Sequence, residues 1–332
     1  MRKIIPNPVT AFDFSDISII PRLEKISAQD EKLLLKTSLT RRISIGCPFV
    51  ASPMDSVINL KMAICMDKFD MIPIFYIREE NQEEISALIT RYISCSSGKF
   101  GIATPTSIEF INKIMEKYIF HNCLLVALDT LHSKPYNHLI TIQYLRKQYK
   151  NIEIISGNVT NANDCARVIE CGADAVRVGM TFNSINKGYE MTGCGRRQAS
   201  SIYECAEEAD KYGVPIIADG GVKHISDIAK CIALGASSVM MGKMFAMMDE
   251  SPCRVIDNGG IEYKQYKGMS RIDIIDNDMC PEGDEILIKK GGTFDSVVSG
   301  WIKRLKIALV RSGACSIVEM RENSMLEYFL SK

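Results

Sequence analysis

Short apolar, β-branched runs recur along this chain, and each gap between them leaves room for one amphipathic helix. The runs are CPFVAS at 47–52, MIPIF at 71–75, FGIAT at 100–104, CLLVALD at 123–129, IEIISG at 152–157, AVRVG at 175–179, VPIIAD at 214–219 and SSVMMG at 237–242. Between them lie NLKMAICMDKF, NQEEISALITRYI, SIEFINKIMEKYI, NHLITIQYLRKQY, NDCARVIECG, SSIYECAEEADKYG and SDIAKCIALG, with apolar residues at helical spacing. A last helix is predicted over 297–311. Continuous apolar strands alternating with amphipathic helices require a parallel sheet covered on its outside. Eight such units predict an α/β chain folded as a single (β/α)8 TIM barrel across residues 1–332. No GxGxxG follows the first run, which argues against an open dinucleotide-binding sheet.

Charge and cysteine usage exclude several classes. The 40 Lys+Arg balance 40 Asp+Glu, so the basic excess of a nucleic-acid binder is missing. No apolar run reaches the roughly 18 residues of a membrane span, and MRKIIPNPVTAFDFSD has no apolar core of a signal peptide behind its charges. The expectation is a soluble, cytoplasmic protein that meets neither membrane nor nucleic acid. The 12 cysteines are scattered without CxxC or Cys/His spacing, so they read as reduced packing thiols and no metal site is expected.

A barrel of this type carries its chemistry in the loops after the strand C-termini. Those loops hold Ser52-Pro53-Met54-Asp55, then Asp129-Thr130 with His132, Gly157-Asn158, the segment Gly179 to Gln198, Asp219-Gly220-Gly221 and Gly242-Lys243. Asp and Gly are also turn formers, but six such sites at one end of successive strands read better as a binding rim. Glycines after the last two strands let backbone N–H groups approach phosphate oxygens. The Asp219 carboxylate would repel phosphate, so its natural partner is a ribose diol. A nucleoside monophosphate or sugar phosphate is the expected ligand.

With these residues in hand, the chain resembles the IMP dehydrogenase and GMP reductase family. The resemblance rests on AFDFSDISIIPR, FVASPMDSV, LLVALDTLHS, ISGNVTNANDCARVIECGADAVRVGM, GCGRRQASSIYECAEEADKYGVPIIADGG, ALGASSVMMGKMFA and YKQYKGMS, in order from 11 to 325. Only residues 76–99 separate the second and third runs, so the regulatory module often inserted there is absent, as in GMP reductases. The resemblance implies a purine 5′-monophosphate (GMP or IMP), NADPH or NADH as cofactor, and a homotetramer. It places Ser52 and Met54 beside the purine, Asp129 with Thr130 at the nicotinamide ribose, and Ser184, Gly221, Gly242 and Tyr266 at the phosphate. Gly220 and Lys243 flank that phosphate site. It further gives Asp219 to the ribose diol, Gly268, Met269 and Ser270 to the base, and Glu282 to the purine N1.

The reaction centre departs from the family. Where relatives carry Gly-Ser-[Ile or Val]-Cys-x-Thr, this chain reads Asn183-Ser184-Ile185-Asn186-Lys187-Gly188, anchored without length change by Gly179-Met180 and Cys194-Gly195-Arg196. Asn186 stands at the nucleophile position, and an amide nitrogen is no nucleophile at neutral pH. Phe75-Tyr76-Ile77-Arg78 replaces the His and Lys usual after the second strand. The segment from Met269 to Glu282 is shorter than in relatives and RIDIIDNDMC lacks the water-activating Arg-Tyr pair, which disfavours hydrolytic dehydrogenation. Asn183 and Asn186 also alter the family's monovalent-cation loop. Three readings stay open: a GMP reductase-like oxidoreductase without the usual cysteine, an enzyme of altered chemistry on a modified purine nucleotide, and a catalytically inactive nucleotide-binding paralogue.

Overall fold

The computed structural model describes residues 11–22, 27, 32–118, 122–129, 135–180, 188–268 and 285–329. Eight strands form one parallel sheet: β1 Phe49–Ala51, β2 Ile74–Tyr76, β3 Phe100–Thr104, β4 Cys123–Leu128, β5 Glu153–Val159, β6 Ala175–Val178, β7 Ile216–Asp219 and β8 Ser238–Met241. Ladders run in sequence from β2 to β8, and β8 then pairs with β1, Val239 opposite Phe49. The eight predicted runs are these eight strands. Helices α1 Leu60–Lys68, α2 Gln82–Cys95, α3 Ile108–Tyr118, α4 Pro135–Gln148, α5 Ala162–Glu170, α6 Gln198–Asp210, α7 Ile225–Ala233 and α8 Phe294–Ser312 follow the strands in turn. The chain is a single (β/α)8 barrel, nearly closed by its ladders.

Side-chain alternation along each strand splits the core in two. Val50, Ile74, Ala103, Leu125, Ala127, Ile155, Ala175, Ile217 and Met240, drawn from all eight strands, form one interior cluster. Their neighbours Phe49, Phe75, Ile102, Val126, Ile154, Val176, Ile216 and Val239 belong to a second cluster shared with the helices. Both faces of every strand are therefore apolar, as a covered parallel sheet demands. Helix ends are set locally: the Asn59 and Asn161 side chains accept from Met62 N and Asp164 N, both at 2.9 Å, and Gly313 closes α8 at φ 78°. Trp301 of α8 packs edge-on against Phe49 and Phe245, with centroids 5.5 and 5.4 Å away.

The N-terminal end of the barrel is plugged. A hairpin of Thr37–Ser38 against Ser44–Ile45 inserts Leu39 and Ile45 into the interior cluster. Glu153, 2% exposed, is neutralised there by Thr40 Oγ1 at 2.6 Å and by Arg42 N and Nε at 3.0 and 2.5 Å. At the opposite end an antiparallel sheet of β9 Arg254–Asn258, β10 Ile261–Lys267 and β11 Glu285–Lys289 rises beside β8. Neither addition was legible as strand from the sequence pattern. No described helix is long and apolar enough to cross a membrane, and the described cysteines are all free thiols.

His138 on α4 is buried against the outer face of β5, sharing a 2.6 Å hydrogen bond with Ser156 Oγ, while its Nδ1 has no partner among the described residues. Burial, then repulsion from Arg177, lowers its pKa to about 4 against an opposing pull from Asp129. A histidine held neutral in the fold but free to charge when unfolded makes the unfolded state bind more protons below its ordinary pKa, so stability falls as pH drops. Between pH 7 and 5 the chain should lose about 2 kcal/mol that His138→Gln does not lose. Urea unfolding of both proteins at the two pH values checks this; parallel losses would contradict it.

Candidate functional site

The interior parity carries upward to the mouth of the barrel. One step beyond the apolar layer, the same alternation turns Ser52, Tyr76, Asp129, Arg177, Asp219 and Gly242 toward the axis. Arg177 is the centre of this layer, at 8% exposure. Its Nη1 donates to Asp129 Oδ1 at 3.0 Å, and its Nε and Nη2 donate to Asp219 Oδ2 at 3.1 and 2.8 Å. Burial alone would depress the guanidinium pKa, but the two carboxylates outweigh it and hold it raised. Arg177 is charged at every accessible pH.

Around this pair the backbone is tightly specified. Asn158 Nδ2 donates to Asp219 Oδ2 at 2.9 Å and to Gly179 O at 2.8 Å, and Gln198 Nε2 donates to Val178 O and Asp219 O at 2.9 and 3.1 Å. A Cβ on Gly179 would fall 2.2 Å from Asp219 O, so only glycine fits. Asp219 Oδ1 and Asp129 Oδ2 have no partner among the described residues. Among the described residues each carboxylate thus has one oxygen bonded to Arg177 and one without a partner.

The other half of the mouth is built from three separate loops. Ser52 N donates to Met241 O at 3.0 Å, which ties the loop after β1 to the end of β8. Tyr266 of β10, 3% exposed, lays its hydroxyl over Gly242: a Cβ there would sit 2.1 Å from that hydroxyl. The same hydroxyl donates to Met54 Sδ at 3.6 Å. Burial first, then Cys253 and Asp219, push the Tyr266 pKa well above its ordinary value, so it stays a donor. Ser56 Oγ donates to Lys267 O at 2.8 Å, and Gly220 and Gly221 adopt φ 91° and 76° after β7. Lys243 is exposed beside Gly242.

Tyr76 stands at the mouth, at the end of β2. Burial, then Asp129, raises its pKa, and the Arg78 guanidinium lies 5.8 Å above its ring and 2.9 Å from Asp55. Arg78 Nη1 is buried without a partner among the described residues. No group of three metal-ligating side chains occurs among the described residues.

The structure therefore gathers Ser52, Met54, Asp129, Asp219, Gly220, Gly221, Gly242, Lys243, Tyr266 and Gly268 at one end of the barrel. Thr130, Ser184, Asn186, Met269, Ser270 and Glu282 lie outside the described residues. Sequence reasoning missed Arg177, Asn158 in its hydrogen-bonding role, and Gln198. A signal for Arg177 was present: a cation inside the otherwise apolar AVRVG, at inward parity two residues after Ala175.

A barrel with this mouth has known relatives. Residues 11–330 match the IMP dehydrogenase / GMP reductase domain, and the chain belongs to that family. It is 26% identical to inosine-5′-monophosphate dehydrogenase of Cryptosporidium parvum, over 94% of this chain and 90% of that protein. Against the same enzyme of Borreliella burgdorferi it is 27% identical, over 96% and 95%. A third relative, from Chlorobaculum tepidum, is 36% identical over 60% of this chain, which spans less than half of that protein (44%).

Removing the guanidinium leaves two carboxylates facing each other in a poorly solvated mouth. Arg177→Met should cost about 3 kcal/mol or more in urea unfolding. Adding Asp219→Asn to Arg177→Met should restore part of that loss, because it deletes one uncompensated charge. Simple additivity of the two losses would show that the pairing does not hold the mouth.

Proposed function

We propose that the barrel mouth binds a purine 5′-monophosphate, GMP or IMP, and that the protein is an oxidoreductase of the IMP dehydrogenase / GMP reductase type working with NADH or NADPH. One observation supports this above the others. Asp129 and Asp219 each commit one oxygen to Arg177 and keep one for a ligand hydroxyl, which suits two riboses, one from the nucleotide and one from the dinucleotide. Asp219 takes the nucleotide's ribose diol and Asp129, with Thr130, that of the cofactor. The phosphate belongs with Gly220, Gly221, Gly242, Lys243, Tyr266 and Ser184, and the base with Ser52, Met54, Gly268, Met269, Ser270 and Glu282. The residues at Asp129 fit the dinucleotide, since a carboxylate 30% exposed and anchored on one side is an acceptor for a ribose hydroxyl.

When bound, the nicotinamide supplies or accepts the hydride. The chain's own part is positioning. Arg177 bonds both carboxylates and holds them at a fixed separation, so the two riboses are presented at fixed places. Among the described residues Tyr266 spends its hydroxyl on a weak thioether acceptor alone, and it turns to a phosphate oxygen at little cost. The buried Nη1 of Arg78 is a donor available to a ligand acceptor.

Asn186 at the nucleophile position supports a route without a covalent purine adduct, and the missing water-activating pair favours the reductase direction over the hydrolytic one. The same asparagine is what supports the second reading, a nucleotide-binding paralogue without turnover. An enzyme of altered chemistry on a modified purine nucleotide is the third. A homotetramer and a cytoplasmic location accompany the family reading.

Absorbance of the nicotinamide followed with GMP and IMP separates these readings. Turnover below about 1 per second is expected for the natural chain, rising by orders of magnitude in Asn186→Cys/Gly188→Thr. Natural rates at or above that level, or a purine adduct on a cysteine during turnover, would overturn the reading of this loop. Asp219→Ala should weaken GMP or IMP binding by about 1–3 kcal/mol, roughly 5- to 150-fold, in calorimetry. Unchanged affinity would mean that the ribose lies elsewhere.

A further inference from the structure

Strand β10 and the residue that follows it carry three buried residues at every second position, Lys264 and Tyr266 on the strand and Gly268 just after it. Alternation puts all three on the side facing the barrel. Two of them belong to the nucleotide site proposed above. The third is a lysine at 2% exposure, and no carboxylate is paired with it among the described residues.

An ammonium taken out of water needs each of its three donors satisfied. Here all three are met by backbone. Lys264 Nζ donates to Asp249 O and Ser251 O at 3.2 Å each, and to Cys253 O at 3.4 Å. Three neutral carbonyls converging on a buried monovalent cation form the kind of cage that would hold a free ammonium or alkali ion; here the cation is tethered to β10. The cage itself belongs to the loop that follows Gly242 and the short helix Lys243–Ala246. Within it Ser251 Oγ donates to Ala246 O at 2.7 Å, and Cys253 Sγ donates to Ser56 O at 3.0 Å. Ser56 in turn donates to Lys267 O on β10. The loop after β1, the loop after β8 and β10 are thus linked around one ammonium, whose pKa burial lowers.

We propose that Lys264 is a positioning residue for the nucleotide site: its caged ammonium docks β10 onto the loop after β8 and so sets Tyr266 over Gly242 and Gly268 at the base. The inference rests on reading that mouth as a nucleotide site. It explains why β10, the middle strand of a sheet outside the barrel, presents a buried tyrosine at a fixed place. Without the tether, the β11 end of the outer sheet stays joined to the loop after β8 through Gly291 N on Met247 O, Asp249 N on Gly292 O and Lys290 Nζ beside Asp249 Oδ1, but β10 itself keeps only apolar contact, the Ser56 bridge and the weak Tyr266–Met54 contact, and the tyrosine hydroxyl is no longer held in place over Gly242.

The test uses Lys264→Ala in the full chain, with IMP and GMP affinity by calorimetry and amide exchange of residues 261–268 and of β5. The alanine leaves space that n-propylammonium fills, restoring the missing stem and charge. Expected are a nucleotide affinity at least tenfold weaker, exchange of 261–268 at least tenfold faster, and β5 unchanged. Both defects should be reversed by n-propylammonium chloride and not by sodium chloride at equal ionic strength. Lys264→Met, which keeps the stem volume and lacks only the ammonium, should show the same two defects with no rescue; it serves also if the alanine variant does not fold. Wild-type affinity and exchange in either variant would overturn the proposal. So would exchange that accelerates equally in β5, which would make Lys264 a residue of general stability. If the natural protein binds neither IMP nor GMP, the functional reading fails by itself, and the exchange of 261–268 with its propylammonium rescue still decides the tether.

Discussion

One guanidinium holds two carboxylates at the open end of this barrel, and the arrangement of the mouth follows from it. Arg177 reaches the axis because it sits at inward parity on β6, between β5 and β7. From there it spans from Asp129, after β4, to Asp219, at the end of β7. Two half-buried carboxylates at one mouth repel each other unless a cation stands between them. With the arginine between them both carboxylates are paired, and each keeps one oxygen that meets no partner among the described residues. Asn158 and Gln198 add neutral donors to Asp219, so its orientation is fixed by three side chains rather than one.

The two ends of the barrel solve the same problem differently. At the closed end Glu153 is also buried, but its acceptors are filled by Thr40 and Arg42 from the plugging hairpin, and little is left for a ligand. At the open end the described residues satisfy the carboxylates only in part. Unsatisfied capacity at the strand C-termini, and full satisfaction at the N-termini, is the division of labour expected of this fold. The outer sheet then completes the open end by bringing Tyr266 onto Gly242, a contact that glycine alone permits.

How much of this could be read from the sequence follows from the range of the interactions. The strands were legible because burial on both faces leaves an unbroken apolar run: FGIAT at 100–104 is the third strand residue for residue, and VPIIAD overruns the seventh by two positions at its start. The glycines and Asp219 were legible because they end such runs. The pairing of Arg177 was not, since its partners lie 42 and 48 residues away and nothing local names them, although the cation itself stands out in AVRVG. Lys264 was hidden for a related reason: three backbone carbonyls leave no trace in residue identity. The hairpin at 37–45 and the outer sheet escaped because their strands are short or polar on one face and owe their place to packing against the barrel.

In the proposed function, Arg177 sets two ribose-binding carboxylates at the mouth of a purine-nucleotide barrel. The most direct measurement is a crystal structure of the natural protein soaked with IMP. The expected result is a ribose diol on the free oxygen of Asp219, a phosphate among Gly221, Gly242 and the Tyr266 hydroxyl, and Arg177 still bridging Asp129 and Asp219. A nucleotide bound elsewhere, or one that binds at the mouth with its phosphate rather than its ribose against Asp219, would contradict it.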